Sequence, residues 1–302
     1  MDKAKGARKD RKLLNWGRED IEQRLGFKGG KYTDANLWMS LLAAVVLSGV
    51  FFAGLRLMPA RMLECRAAQL VLARGWTPWA MVFLTTWAVA MLWVKWRKLA
   101  FQRRAFGLEV IPRDNEFALD RDTAPDALKR LRGFVDNPER FVLFSRIERA
   151  LQNLRNVGNL SDVSEMLRAQ AENDESAIES SYGLLEGIVW SIPILGFTGT
   201  VTGLSGAIGR FGQVLGADAD LGALREGLAP VTDNLSVAFD TTFLALVLAL
   251  AVQLATTLLR KSEYAFLDAC RDYAHENVIS RLRLSGRAGA SGGDTGKEEA
   301  AE

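Results

Sequence analysis

Four runs of this sequence carry no charged residue: 35–55 over 21 residues, 75–94 over 20, 187–209 over 23 and 241–259 over 19. Each is near the roughly 20 residues with which an α-helix crosses about 30 Å of hydrocarbon. A chain of 302 residues has room for two soluble domains, but this distribution of apolar residues argues against that reading. The expected fold is all-α: a polytopic membrane protein with four transmembrane helices, the last two long and extending into a cytoplasmic helical bundle. The mean hydropathy of +0.03 averages oily spans with highly charged connectors, and the net charge of +2 hides the same segregation.

Lysine and arginine set the orientation. The first 36 residues hold ten of them, and Lys95, Arg97, Lys98, Arg103 and Arg104 follow the second span. The loop 57–75 holds only Arg61, Arg66 and Arg74, and the loop 210–229 only Arg210 and Arg225. Both termini are therefore expected in the cytoplasm, and the N-terminus lacks a signal-peptide layout because its first apolar run starts only near residue 35. Cys65 and Cys270 then fall on opposite sides of the membrane and cannot bridge within one chain. No metal site or cofactor is implied.

The expected organisation is a basic cytoplasmic arm (1–34), a first helix pair with a short periplasmic loop (35–94), a cytoplasmic helical region (95–182), a second, pore-lining pair (183–259), a cytoplasmic helical extension (260–284) and a disordered tail (285–302). In the arm, Leu13, Leu14, Trp16, Ile21 and Leu25 suit a short helix lying on the inner membrane surface, with a solvated basic arm as the alternative. Trp76 and Trp79 open the second span and Trp93 and Trp96 close it, the interfacial placement that indoles favour. Pro125 opens a helix, a turn at Asp136, Asn137 and Pro138 precedes the next, and Val142, Ile147, Leu151 and Leu154 form its apolar stripe. From Ser161 nothing forces a break, so one continuous helix is expected to enter the membrane. Leu267, Cys270, Ala274, Val278 and Leu282 continue the fourth helix past the span. Lys129, Arg130, Arg132, Arg140, Arg146 and Arg149 read as a solvated basic face.

The third span carries Gly196, Gly199, Gly203, Gly206 and Gly209 at steps of 3, 4, 3 and 3, which stack on one side of a helix and let another backbone come close. Pro193 is a point of helix distortion. Thr200 lies nine residues before Gly209, roughly 14 Å from the outer end, and Thr242 eleven after Val231, roughly 17 Å. Their similar depth predicts a shared polar patch. Thr198, Thr200 and Thr202 facing Thr241 and Thr242 make a hydroxyl-lined ion path a hypothesis to weigh against simple bonding of each hydroxyl to its own helix. No ionisable residue falls inside the first three runs, whereas Asp240 sits near the outer part of the fourth helix, either in the ion path or hydrated at its mouth.

Pro193, Leu195, Gly196, Gly199, Thr200, Val201 and Gly203 resemble the third-span pattern of the MotA/TolQ/ExbB proton-channel family, and Ala238, Thr242 and Leu246 resemble its fourth. The order of spans is similar to the four-span, MotA-like branch. The resemblance covers 161–283 well and the first 110 residues only in layout. It implies a homopentamer in the bacterial inner membrane around a dimer of a MotB/TolR/ExbD-like single-span protein, whose membrane Asp passes protons or sodium ions. Thr200 and Thr242 match the pore threonines and Pro193 the helix distortion. Asp240 stands at a position usually apolar, and Val237 where the TolQ/ExbB branch has a glutamate. The residues themselves point to the same need, since a chain without a central carboxylate requires a subunit that supplies one. Neither reading calls for a nucleic acid partner.

Two other classes share some of these features. Gly203, Leu204, Ser205 and Gly206 resemble the GxSG of rhomboid proteases, but the sole histidine, His275, lies about fifteen residues beyond the fourth span and cannot serve Ser205 as base; no enzyme is expected. A non-conducting oligomeric scaffold or sensor would keep the glycine face for packing alone.

Overall fold

The computed structural model describes residues 14–27, 29–30, 32–57, 75–108, 123–156, 160–215 and 221–281. Cys65, Leu282 and the expected tail lie outside the described residues. Those described form helices α1 (Trp16–Glu19), α2 (Ile21–Arg24), α3 (Leu37–Leu57), α4 (Thr77–Arg103), α5 (Ala124–Phe134), α6 (Val142–Asn156), α7 (Leu160–Ser180), α8 (Gly183–Leu215) and α9 (Leu221–Asn277), with short 3₁₀ turns and no strand. Four stretches are long and apolar enough to cross a membrane: Leu37–Leu57, Thr77–Gly107, Asp162–Gly212 and Leu228–Asn277. The fold class is as expected, and the last helices are indeed the long ones.

The chain divides into two compact units, Met1–Asp20 with Leu99–Ala177 and Tyr264–Glu302, and Ile21–Lys98 with Ile178–Glu263. In the first, polar unit, the stripe Val142, Ile147, Leu151 and Leu154 is buried together with Leu267, Cys270, Ala274 and Val278. The bundle thus takes in the ends of α4 and α9. Arg146 is the exception on the expected basic face: it is 2% exposed, held by Asp174 at 2.9 Å, because its position falls among the apolar residues of α6. Its i+3 neighbour Arg149 remains exposed.

The arm also departs from expectation. Trp16 is fully buried against Phe101 and Phe141 at centroid distances of 5.6 and 5.1 Å, its indole N–H donating to Asp20 and its backbone N–H to Asp136. Leu14 bridges Val135, whereas Leu25 is exposed. The apolar set is therefore split rather than displayed on one membrane-facing side, because the indole finds a closed aromatic cage with polar partners at its rim.

In the second, membrane unit, α3 buries Met39 near its start and then a narrow small-residue line, Ser40, Ala44 and Ser48, and leaves Leu42, Val45, Val46, Val50 and Phe51 exposed. Trp76, just before α4, and Trp93 and Trp96, in its second half, are exposed. Met81, Ile192, Ala245 and Ala249 form a buried cluster joining α4, α8 and α9. The helix expected to run unbroken from Ser161 is interrupted at Ser181 and Tyr182, where the N–H groups turn to i−3 carbonyls. The Ser181 hydroxyl donates to Ile178 and accepts from Lys95 Nζ, competing with the regular ladder. α9 begins earlier than expected and carries Pro230 inside it.

Candidate functional site

The glycines of α8 form a seam against α9. A methyl at Gly196 would overlap Ala245, one at Gly199 would overlap the Thr241 side chain, and one at Gly203 would lie 2.8 Å from the Asn234 carbonyl and 2.9 Å from the Ala238 Cβ. Gly206 faces Asn234 at ordinary contact distance. Steps of 3, 4 and 3 along α8 are thus met by steps of 4, 3 and 4 running back along α9, the register of an antiparallel pair.

The seam settles which hydroxyls come together. Thr242 Oγ1 donates across the seam to the Gly196 carbonyl at 3.2 Å, besides its own-helix bond to Ala238. In a regular helix that same carbonyl accepts the N–H of Thr200. Thr200 is half-buried and donates to Phe197 at 2.6 Å. At about 100° per residue, Pro193 and Thr200 project along one line beside the seam. Pro193, Thr200 and Thr242 therefore share one flank of the α8–α9 pair, the two threonines at similar depth and Pro193 about two turns away.

The other threonines are elsewhere. Thr198 and Thr202, two positions from Thr200, point about 160° away from it and bond carbonyls of their own helix. Thr241 is buried, closing on Gly199 and donating to Val237 and Ala238. Asp240, two positions from Thr242, likewise points about 160° from it, half-buried and within 3.4 Å of Ser236. The flank bearing Thr200 and Thr242 has no carboxylate of its own among these residues.

Sequence reasoning missed a second polar cluster in the same unit. Lys95 and Glu263 are both fully buried, with Nζ 3.7 Å from Oε2. That separation is an ion pair but too long for a hydrogen bond, and neither Glu263 oxygen has a hydrogen-bond partner. Lys95 donates to Ser181 at 2.7 Å and lies 4.2 Å from the Tyr182 ring. Arg260 stacks on the same ring and pairs with Glu186. Lys98 donates to Glu22 at 2.6 Å and to the Asp34 carbonyl, while Glu22 also accepts from the N–H groups of Gly30 and Asn36. The available signal was positional: Lys95 directly follows the second charge-free run and Glu263 lies four residues past the fourth.

Four apolar helices among the described residues, two of them joined by a glycine seam flanked by Thr200 and Thr242, define a polytopic membrane protein. A family model described as the MotA/TolQ/ExbB proton channel family matches residues 136–269, and this segment is similar to that family. The matched segment contains the seam, both flank threonines and Glu263. No curated protein and no solved structure matches the chain.

Proposed function

We propose that the chain is the channel-forming subunit of an ion-driven motor or energising complex in the bacterial inner membrane, with both termini in the cytoplasm. Five copies ring a MotB/TolR/ExbD-like single-span partner, and protons, or sodium ions, pass between the partner's membrane Asp and the flank carrying Thr200 and Thr242. The observation that supports this reading best is the bond from Thr242 to the Gly196 carbonyl. It sets two hydroxyls at one depth of an apolar helix pair that offers no carboxylate beside them. Pro193, which has no N–H, breaks the ladder on the same line and leaves a carbonyl for the ion or its water. Asp240 and Thr241 sit on other sides of α9 and take a secondary part, Thr241 in packing and Asp240 at the rim.

The test is ion flux in vesicles reconstituted with the subunit and its partner. Thr200→Val and Thr242→Val are expected to abolish flux while leaving the oligomer intact by gel filtration, whereas Asp240→Asn retains it. Undiminished flux in both threonine variants would instead favour a non-conducting scaffold.

A further inference from the structure

The polar unit contains a cavity of about 160 Å³ that the ion path does not use. Its polar lining is Arg146 from α6, Ser164 and Arg168 from α7, and Arg271 and His275 from α9, over an apolar floor that includes Leu167. No carboxylate lines it among the described residues. We propose that this cavity binds a phosphoryl group, as free phosphate or as the head of a small phosphomonoester.

The helices aim these groups at one space. Ser164 and Arg168 are four apart on α7, and Arg271 and His275 four apart on α9, so each pair shares a helix face. Arg146 is fixed from below: Nε donates to Asp174 at 2.9 Å and Nη1 to the Leu267 carbonyl at 3.3 Å, leaving its second terminal amino group uncommitted among the described residues. Arg168 has one carboxylate, Glu172 at 3.2 Å on its own helix. The side chains of Ser164, Arg271 and His275 have no hydrogen-bond or ion-pair partner among the described residues. Two guanidiniums are thus partly neutralised and the third is not, which leaves a net positive lining.

Size and donor chemistry select the ligand. The volume lies below the ~300 Å³ at which pockets for drug-sized ligands begin, which suits a small anion or the head of a larger ligand. Guanidinium forks match the paired oxygens of a phosphoryl group, and donors arriving from three helices suit a tetrahedral anion better than a planar carboxylate. The inference is independent of the ion path, since none of these residues belongs to it.

The experiment titrates inorganic phosphate into the purified full-length protein at constant ionic strength, read by calorimetry and by thermal shift, with chloride as the reference anion. Saturable binding is expected, with affinity at least about tenfold weaker in the double variant Arg271→Gln, His275→Gln, the scale of losing charge-assisted hydrogen bonds. Both residues are exposed, so the fold should survive, which the melting temperature without phosphate checks. Lys129→Gln, the same loss of charge outside the cavity, is expected to bind like the parent. A second arm repeats the titration in bilayers with and without phosphatidic acid. Competition by that lipid assigns the site to a lipid headgroup, and undiminished phosphate binding assigns it to a soluble ligand. Absence of saturable binding, or equal binding by the parent and the double variant, overturns the proposal.

Discussion

Replacing Lys95 by Met removes one half of an ion pair whose other half, Glu263, has no alternative partner among the described residues. At 3.7 Å and an effective dielectric constant near 20, the attraction is about 4.5 kcal/mol. Breaking a buried pair from one side costs about 3–5 kcal/mol, since the surviving charge stays uncompensated. Lys95→Met should therefore lower stability by several kcal/mol. Glu263→Gln should cost less, because Lys95 keeps the Ser181 hydroxyl and the Tyr182 ring. The double variant Lys95→Met, Glu263→Leu should recover most of the loss, since two apolar residues replace two desolvated charges. Midpoints of thermal unfolding in one detergent, arranged as a double-mutant cycle, give the coupling directly. A Lys95→Met protein as stable as the double variant would refute the account, for it would mean that Glu263 reaches water or another cation.

Three further outcomes are expected. Gly203→Val should push α8 from α9 and lower the melting temperature, an overpacking cost of about 1–3 kcal/mol or more, whereas Gly209→Ala, which meets open space, should melt like the parent. Trp16→Ala, emptying the Phe101 and Phe141 cage, should cost about 3–5 kcal/mol and speed amide exchange at Phe141. Burial raises the Asp34 pKa above its ordinary 3.8, against the pull of Lys95 and Lys98. The folded chain thus holds that proton more tightly than the unfolded one, so stability rises as pH falls from the raised value towards 3.8. Asp34→Asn should flatten that dependence and melt no lower than the parent at neutral pH.

The four spans were legible because length and the absence of charge suffice to specify a membrane helix. The seam was legible too, since glycines at steps of three and four have few other uses, and depth counting brought Thr200 to Thr242. Flank assignment was not, because, of two residues adjacent in sequence, such as Thr241 and Thr242, one falls into a helix contact and the other beside it, and the sequence does not state the direction of that contact. Arg146 was misread for a related reason: a helical repeat gives its angle, but only the arrival of Asp174 from another helix makes burial tolerable. Lys95 and Glu263 were hidden by distance along the chain. The break at Ser181 and Tyr182 has no proline to announce it and depends on a lysine 86 residues away.

The caging of Trp16 has a consequence for how the protein is made. Its partner Asp136 is 120 residues downstream, and the Leu267 carbonyl that orients Arg146 is 121 residues beyond that arginine. The polar unit is assembled from three separate stretches, with the membrane spans threaded between them. The Trp16 cage needs the chain as far as Phe141, beyond the first two spans, so the nascent arm must wait with its tryptophan uncovered while those spans are made, and Arg146 waits longer, for residue 267. Long-range closure of this kind is slow. Chains that end inside the second span should accordingly present the indole to solvent.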